Sequence, residues 1–425
     1  MIFLVDYFFL KTEHLTTSTL TGKIMEPLNG SGTAHMETAT KKEGRTVLEV
    51  PNPSAYTYQG QYAPFKAPVF YNPKMEFSRD IAVLVLRTFA KARKGPIQIC
   101  DPLGGLGARG IRYAKEVEGI EKSIICDLNH DAIPIINRNV ALNGVESIVE
   151  VEEKDANLLL SEHAEPGKRF DFIDVDPFGT PTPFVDSAMR ALKNKGVLAI
   201  TATDTAPLCG VHSKACVRKY GAIPLHNEFC HETGLRIMIG TALREVLKYD
   251  FGIEVLLSYS IDHYFRAYLR AVMGAKRGDS SASLMGYILH CQECGWRGTA
   301  RLNAQLPCSC EKCGKPLRRG GPLWCGNLVD REFLKTLVEQ DHSDLNTKMR
   351  IDKFFSLLMS EFDKPLSFYV LDRISSRLRC DVPAIGKVLQ RLQDLGYDSS
   401  LTHFHPKAIK TNAPLEVISA IIEEG

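Results

Sequence analysis

From Val47 to about residue 200, short apolar runs alternate with longer amphipathic stretches. The first long stretch, Ser78–Lys94, opens on a capping Ser and carries a stripe of Ile81, Leu84, Val85 and Phe89. Pro96 follows, so the pattern predicts a helix. Strands are then predicted over Ile97–Cys100, Ser123–Cys126, Val149–Glu152, Phe170–Val175 and Val197–Thr201. Helices are predicted between them over Gly107–Glu116, Ala132–Asn143 and Pro183–Leu192. Apolar strands of this length interleaved with helices imply a mostly parallel sheet covered on both faces. Residues 45–275 are therefore expected to form one α/β domain.

The composition changes at Lys276–Ser283, which predicts a linker or exposed loop. Residues 284–425 form a second region. It holds two cysteine pairs and then helical patterns at 331–341, 346–361, 367–379 and 383–395. These four patterns, with the His403–Lys410 segment, predict a compact helical or winged-helix-like module. At the other end, residues 1–44 read as a poorly ordered arm. Met1–Leu10 is apolar, but Asp6 interrupts it and it lacks the basic start and cleavage site of a secretory signal. Residues 11–44 are rich in Thr, Ser, Gly and Lys and show no periodicity, and Met25 and Met36 are alternative starts. No run of about 18 apolar residues occurs, so no membrane span is expected.

With 44% hydrophobic and 24% charged residues, the 425-residue chain has an ordinary globular composition. Its net charge of +2 leaves nucleic-acid contact to local basic faces. The candidates are His212–Lys219, Arg297 with Arg301, Lys315–Arg319, and Lys407 with Lys410. Twelve cysteines, only four of them in Cys-x-x-Cys pairs, favour metal ligands and buried thiols over a disulfide framework. A reducing, cytoplasmic location is the corresponding expectation. Nothing in the sequence calls for an obligate protein partner.

Candidate chemistry begins at Asp101-Pro-Leu-Gly-Gly-Leu-Gly107, between a strand and a helix. Gly105 and Gly107 allow a tight turn and close approach of a ligand, and the helix start supplies free N–H groups. Asp127 ends the next strand, where a carboxylate can accept ribose hydroxyls, and Asp155 ends the third, placed to meet an adenine amine. Gly105, Gly107 and Gly110 also satisfy a dinucleotide spacing. Asp101, however, would repel a pyrophosphate and would attract the ammonium of a bound amino acid, which favours S-adenosylmethionine.

The fourth strand ends in Asp174-Val-Asp-Pro-Phe-Gly179. An exocyclic ring amine is a poor nucleophile, because its lone pair is delocalised. A carboxylate accepting its N–H would localise that pair and take up the proton. Asp176 is the candidate acceptor and base, and Phe178 the platform for a flat base. Asp174 is either a second participant or a buried structural carboxylate. A guanine amine inside helical RNA would have to be flipped out to be reached.

Cys291-Gln-Glu-Cys294 and Cys310-Glu-Lys-Cys313 are knuckles fifteen residues apart, each followed by Gly. That spacing fits a structural zinc ribbon at about 288–318, with Cys308 as a substitute for Cys310. Four thiolates leave no open position for catalysis.

Together, Phe70–Asp80, the turn Asp101–Arg112, Asp176–Gly179, Ala202–Gly210, His231–Arg236 and Thr402–Pro414 resemble the tRNA guanine-26 N2-dimethyltransferase family in its archaeal form. The likeness spans roughly residues 45–420. It implies a Rossmann-like class I methyltransferase sheet, followed by a C-terminal α+β domain that carries the zinc ribbon and grips tRNA. It also implies transfer of two methyl groups from S-adenosylmethionine to N2 of guanine 26. By the same likeness Arg79, Arg109, Asp127, Asp155 and Ala156 contact the cofactor. Taken without the likeness, each Arg reads more readily as a structural ion pair. Leu401 departs from the polar or basic residue usual before Thr402-His-Phe, and the extension before residue 45 has no counterpart.

Overall fold

In the computed structural model, residues 36–424 are described. Most of the expected arm lies outside them, but its last residues are a strand. Thr38–Glu43 (β1) pairs antiparallel with Thr46–Pro51 (β2). The physical reason is Glu43, which is fully buried and accepts hydrogen bonds from Tyr71 and Arg79. A polar segment thus becomes ordered because its carboxylate is held in the interior. Thr57–Tyr58 (β3) and Gln61–Tyr62 (β4) form a small hairpin before the helix Glu76–Ala92 (α1).

The expected alternation follows: Ile97–Asp101 (β5), Ala108–Glu116 (α2), Ile120–Asp127 (β6), Ala132–Asn143 (α3) and Val149–Glu153 (β7). It continues through Ala156–Glu162 (α4), Phe170–Val175 (β8), Thr182–Arg190 (α5) and Leu192–Ala202 (β9). After the helices Thr205–Leu208 (α6), Ser213–Tyr220 (α7) and Cys230–Leu247 (α8) come two long strands, Phe251–Ile261 (β10) and Tyr264–Met273 (β11). The seven-stranded sheet has the order β10-β11-β9-β8-β5-β6-β7, with β11 antiparallel to both neighbours. The chain leaves β5 in one direction and returns at β8 on its other side, which opens a crevice beyond the carboxyl ends of these two strands.

Side-chain alternation splits the sheet's apolar residues between two cores. Ile173, Val175, Leu198 and Ile200 pack with α4, α5 and α8. Phe172, Val197 and Ala199 pack on the opposite face with α1. The predicted linker at 276–283 is instead the helix Ala275–Ala282 (α9). Its small residues let it lie against the edge strand β10, where Ser281 Oγ accepts from Ile253 N–H at 3.0 Å. Composition alone reads such residues as a loop.

The strands Met285–His290 (β12), Arg297–Arg301 (β13) and Arg318–Trp324 (β14) form a separate sheet in the order β13-β12-β14, with the cysteine knuckles between them. Arg331–Glu339 (α10) and Lys348–Glu361 (α11) match two predicted helices and join the core beneath α1 through Leu334, Leu337, Ile351 and Phe355. The last part comprises Tyr369–Val370 (β15), Leu371–Leu378 (α12), Ile385–Asp394 (α13), Ser399–Leu401 (β16), Ala408–Thr411 (β17) and Leu415–Glu423 (α14). A three-stranded sheet and helices there enclose a small core of their own.

Candidate active site

A cavity of about 380 Å³ opens at the carboxyl edge of β5 and β8. Seven of the residues singled out from the sequence line it: Arg79, Asp101, Gly105, Arg109, Asp127, Asp176 and Phe178. Gly105 has φ +58° and donates its N–H to Asp127 Oδ2 at 2.7 Å. Gly110 lies so near β6 that a Cβ would stand 2.5 Å from the Ile125 side chain. The turn is thus shaped both for its own left-handed backbone and for helix–strand contact.

Asp101 is buried and accepts from Gly110 N–H at 3.1 Å through Oδ2, while its Oδ1 has no partner. Burial and neighbouring Asp174 push its carboxyl up to about 7, against the pull of Arg109 and the Gly110 N–H. Arg109 is also buried. It donates from Nε to Asp176 Oδ2 at 2.7 Å and from Nη2 to Ser78 Oγ at 3.0 Å, and its Nη1 lies 4.0 Å from Asp174 Oδ2. A carboxyl and a guanidinium that both line a single cavity, Asp101 and Arg109, are the pair of charges that the ammonium and carboxylate of an amino acid require.

Burial disfavours ionisation of Asp176, but Arg109 and Arg266, with a Thr201 hydroxyl, outweigh it and hold the carboxyl below its ordinary value. Asp174 proves structural. It is fully buried, takes a two-pronged grip from Arg266 at 2.7 and 2.6 Å, and accepts from Tyr113. Phe178 is 74% exposed at the mouth, edge-on to Phe70 with ring centres 4.4 Å apart. Its loop is pinned by Gly179 N–H to Thr203 Oγ1 at 2.7 Å and Thr203 N–H to Gly179 O at 2.9 Å.

Not every expected contact faces the cavity. Asp155 caps α4, accepting from Leu158 N–H at 3.0 Å, and neither it nor Ala156 lines the cavity. Arg79 does line it, but spends its guanidinium on Glu43 at 2.7 and 2.6 Å. The sequence reading missed Glu43, Tyr113 and Arg266. They come from β1, α2 and β11 and carry no local motif. Two basic candidates are also turned inward: buried Lys410 pairs with Glu232 at 2.8 Å, and half-buried Arg297 with Glu228 at 2.9 Å. Lys214, Arg218 and Lys219 on α7 are exposed.

The sulfurs of Cys291, Cys294, Cys310 and Cys313 lie within 4.8 Å of one another, with Cys291–Cys313 at 3.4 Å and Cys294–Cys310 at 3.6 Å. Thiolates around a tetrahedral zinc stand about 3.8 Å apart, so this donor set fits a soft cation. Gly295 and Gly314 N–H close the knuckles onto the carbonyls of Cys291 and Cys310. Cys308 is exposed and outside the cluster.

Residues 44–423 match the family model described as N2,N2-dimethylguanosine tRNA methyltransferase. A tRNA (guanine(26)-N(2))-dimethyltransferase of Methanobrevibacter smithii is 41% identical over 84% of this chain and 92% of its own length. One from Pyrococcus abyssi is 40% identical over 85% and 94%. The structure of Trm1 from Pyrococcus horikoshii with S-adenosyl-L-methionine superposes with a TM-score of 0.79, at 35% identity, covering 90% of this chain and 99% of that one. Matched along nearly its whole described length, the chain belongs to the N2,N2-dimethylguanosine tRNA methyltransferase family.

Proposed function

We propose that this protein transfers two methyl groups from S-adenosylmethionine to the exocyclic N2 of guanine 26 in tRNA. The observation that carries the reading is the cavity that brings Asp101, Arg109 and Asp127 together beside Asp176. When bound, the cofactor supplies an electrophilic methyl group. Asp101 would hold its ammonium, Arg109 its carboxylate, and Asp127 its ribose. Asp176, kept ionised by Arg109 and Arg266, accepts the N–H of the target amine, which sharpens the nitrogen lone pair and gives the proton a destination. Phe178 at the mouth offers a face on which an extruded base can stack.

Zinc in the four-cysteine cluster would have a structural role, since all its coordination positions are filled. The C-terminal region, with exposed Arg318 and Arg319, and α7 would grip the tRNA body in the cytoplasm. Among the described residues, no helix is long and apolar enough to cross a membrane.

The test is incubation of the full chain with methyl-labelled cofactor and unmodified tRNA, followed by mapping of the label. Dimethylguanosine at position 26 is the expected product. Label at any other base, or none on RNA, would overturn the proposal.

A further inference from the structure

A second group of soft ligands lies away from both sites described so far. Cys209 follows α6 and Cys230 opens α8. With His231 they bring two sulfurs and an imidazole nitrogen within 4.8 Å of one another. Cys230 Sγ is 3.8 Å from His231 Nδ1. Around a tetrahedral zinc, a sulfur–nitrogen pair stands about 3.6 Å apart and a sulfur–sulfur pair about 3.8 Å. The Cys230–His231 pair already stands near that spacing, and the 4.8 Å limit on all three leaves only a small closure around an ion.

The backbone is shaped to bring them together. Gly210, next to Cys209, has φ +87°, and a Cβ on it would stand 2.8 Å from His226 N. Cys209 itself is fixed by its N–H to Thr205 O at 2.8 Å, and its carbonyl lies 3.2 Å from His226 Nδ1. Cys209 is buried, Cys230 is half-buried and His231 is exposed, which leaves a fourth position to solvent. None of the three lines the cavity at the sheet edge.

We propose that Cys209, Cys230 and His231 bind a zinc ion that ties the end of α6 to the start of α8. Such a staple would close the segment 210–229, which carries α7 and its exposed Lys214, Arg218 and Lys219. The proposal stands on ligand geometry and is independent of the methyl-transfer reading.

Metal analysis of the full chain, purified without chelator and dialysed, tests it. Cys230→Ser and His231→Ala should each hold one zinc fewer per chain than the unsubstituted protein. A Cys294→Ser, Cys310→Ser double variant should still lose one zinc when Cys230→Ser is added. Cobalt titration of that double variant should give thiolate-to-cobalt charge-transfer absorption, which Cys209→Ser weakens. His231→Ala, at an exposed position, guards against a variant that does not fold. Unchanged zinc content in Cys230→Ser and His231→Ala would overturn the proposal. So would a Cys209–Cys230 disulfide in the freshly isolated protein, or no charge-transfer band in the double variant.

Discussion

Two carboxylates in one cavity are driven in opposite directions by their surroundings. Asp176 sits against two guanidinium groups and stays ionised, as a proton acceptor must. Replacing it with Asn or Ala is expected to lower the methyl-transfer rate by about 10²–10⁴-fold while cofactor affinity changes only a few-fold. Single-turnover kinetics beside calorimetry would separate the two, and an undiminished rate would remove Asp176 from the chemistry. Asp101, held up to about 7, is half protonated near neutrality when the cavity is free. An ammonium needs the carboxylate form, so cofactor binding should release a proton. Affinity should then rise roughly tenfold per pH unit toward 7 and level above it. Calorimetry in buffers of different ionisation enthalpy would detect that proton, and a flat affinity between pH 5.5 and 7 would contradict the assignment. Asp101→Asn should abolish the dependence and weaken binding by about 10–100-fold.

At the level of elements, β1 matters more than its composition suggests. Glu43 links it to α1 through Arg79 and to α2 through Arg112, 3.4 Å away. Burial opposes the charge on Glu43, but Arg79, Arg112 and Tyr71 hold its carboxyl down to about 2. Glu232 at the start of α8 is likewise held to about 2 by Lys410 and Arg236 against its burial. Both folded values lie below the ordinary 4.5. Their stabilisation is therefore complete above about pH 4.5 and lost as pH falls toward 2. Thermal unfolding should show a midpoint insensitive to these groups at pH 5–7 and falling steeply below 4.5. Glu43→Gln should cost about 3–5 kcal/mol, because it strands a buried guanidinium, and denaturant titration measures it.

For the whole molecule, a net charge of +2 means that RNA affinity must come from faces and not from the total. Binding of tRNA should weaken steeply with salt, and Lys214→Ala or Arg218→Ala on α7 should each lower the slope of log affinity against log salt by roughly 0.7–0.9. Filter binding across a salt series would check this, and unchanged slopes would exclude α7 from the interface. Much of this architecture is written locally. Periodicity alone places β5 to β8 with α2, α3 and α5 within a few residues, because strand and helix repeats are properties of neighbouring positions, though it misses the short helix α4 and the first five residues of β9. The Gly-rich turn, Asp176-Pro-Phe-Gly179 and the paired cysteines are likewise contiguous, so seven of the nine expected catalytic and cofactor residues reach one cavity. Other features are set only by the packed chain. The linker-like composition at 276–283 becomes a helix against an edge strand, Arg79 turns to Glu43, Lys410 is buried, and Asp174 is claimed by Arg266 from a strand 92 residues away. A side chain's role depends on which charge lies opposite it once the sheet is assembled. That pairing joins segments remote in sequence, so no local pattern encodes it.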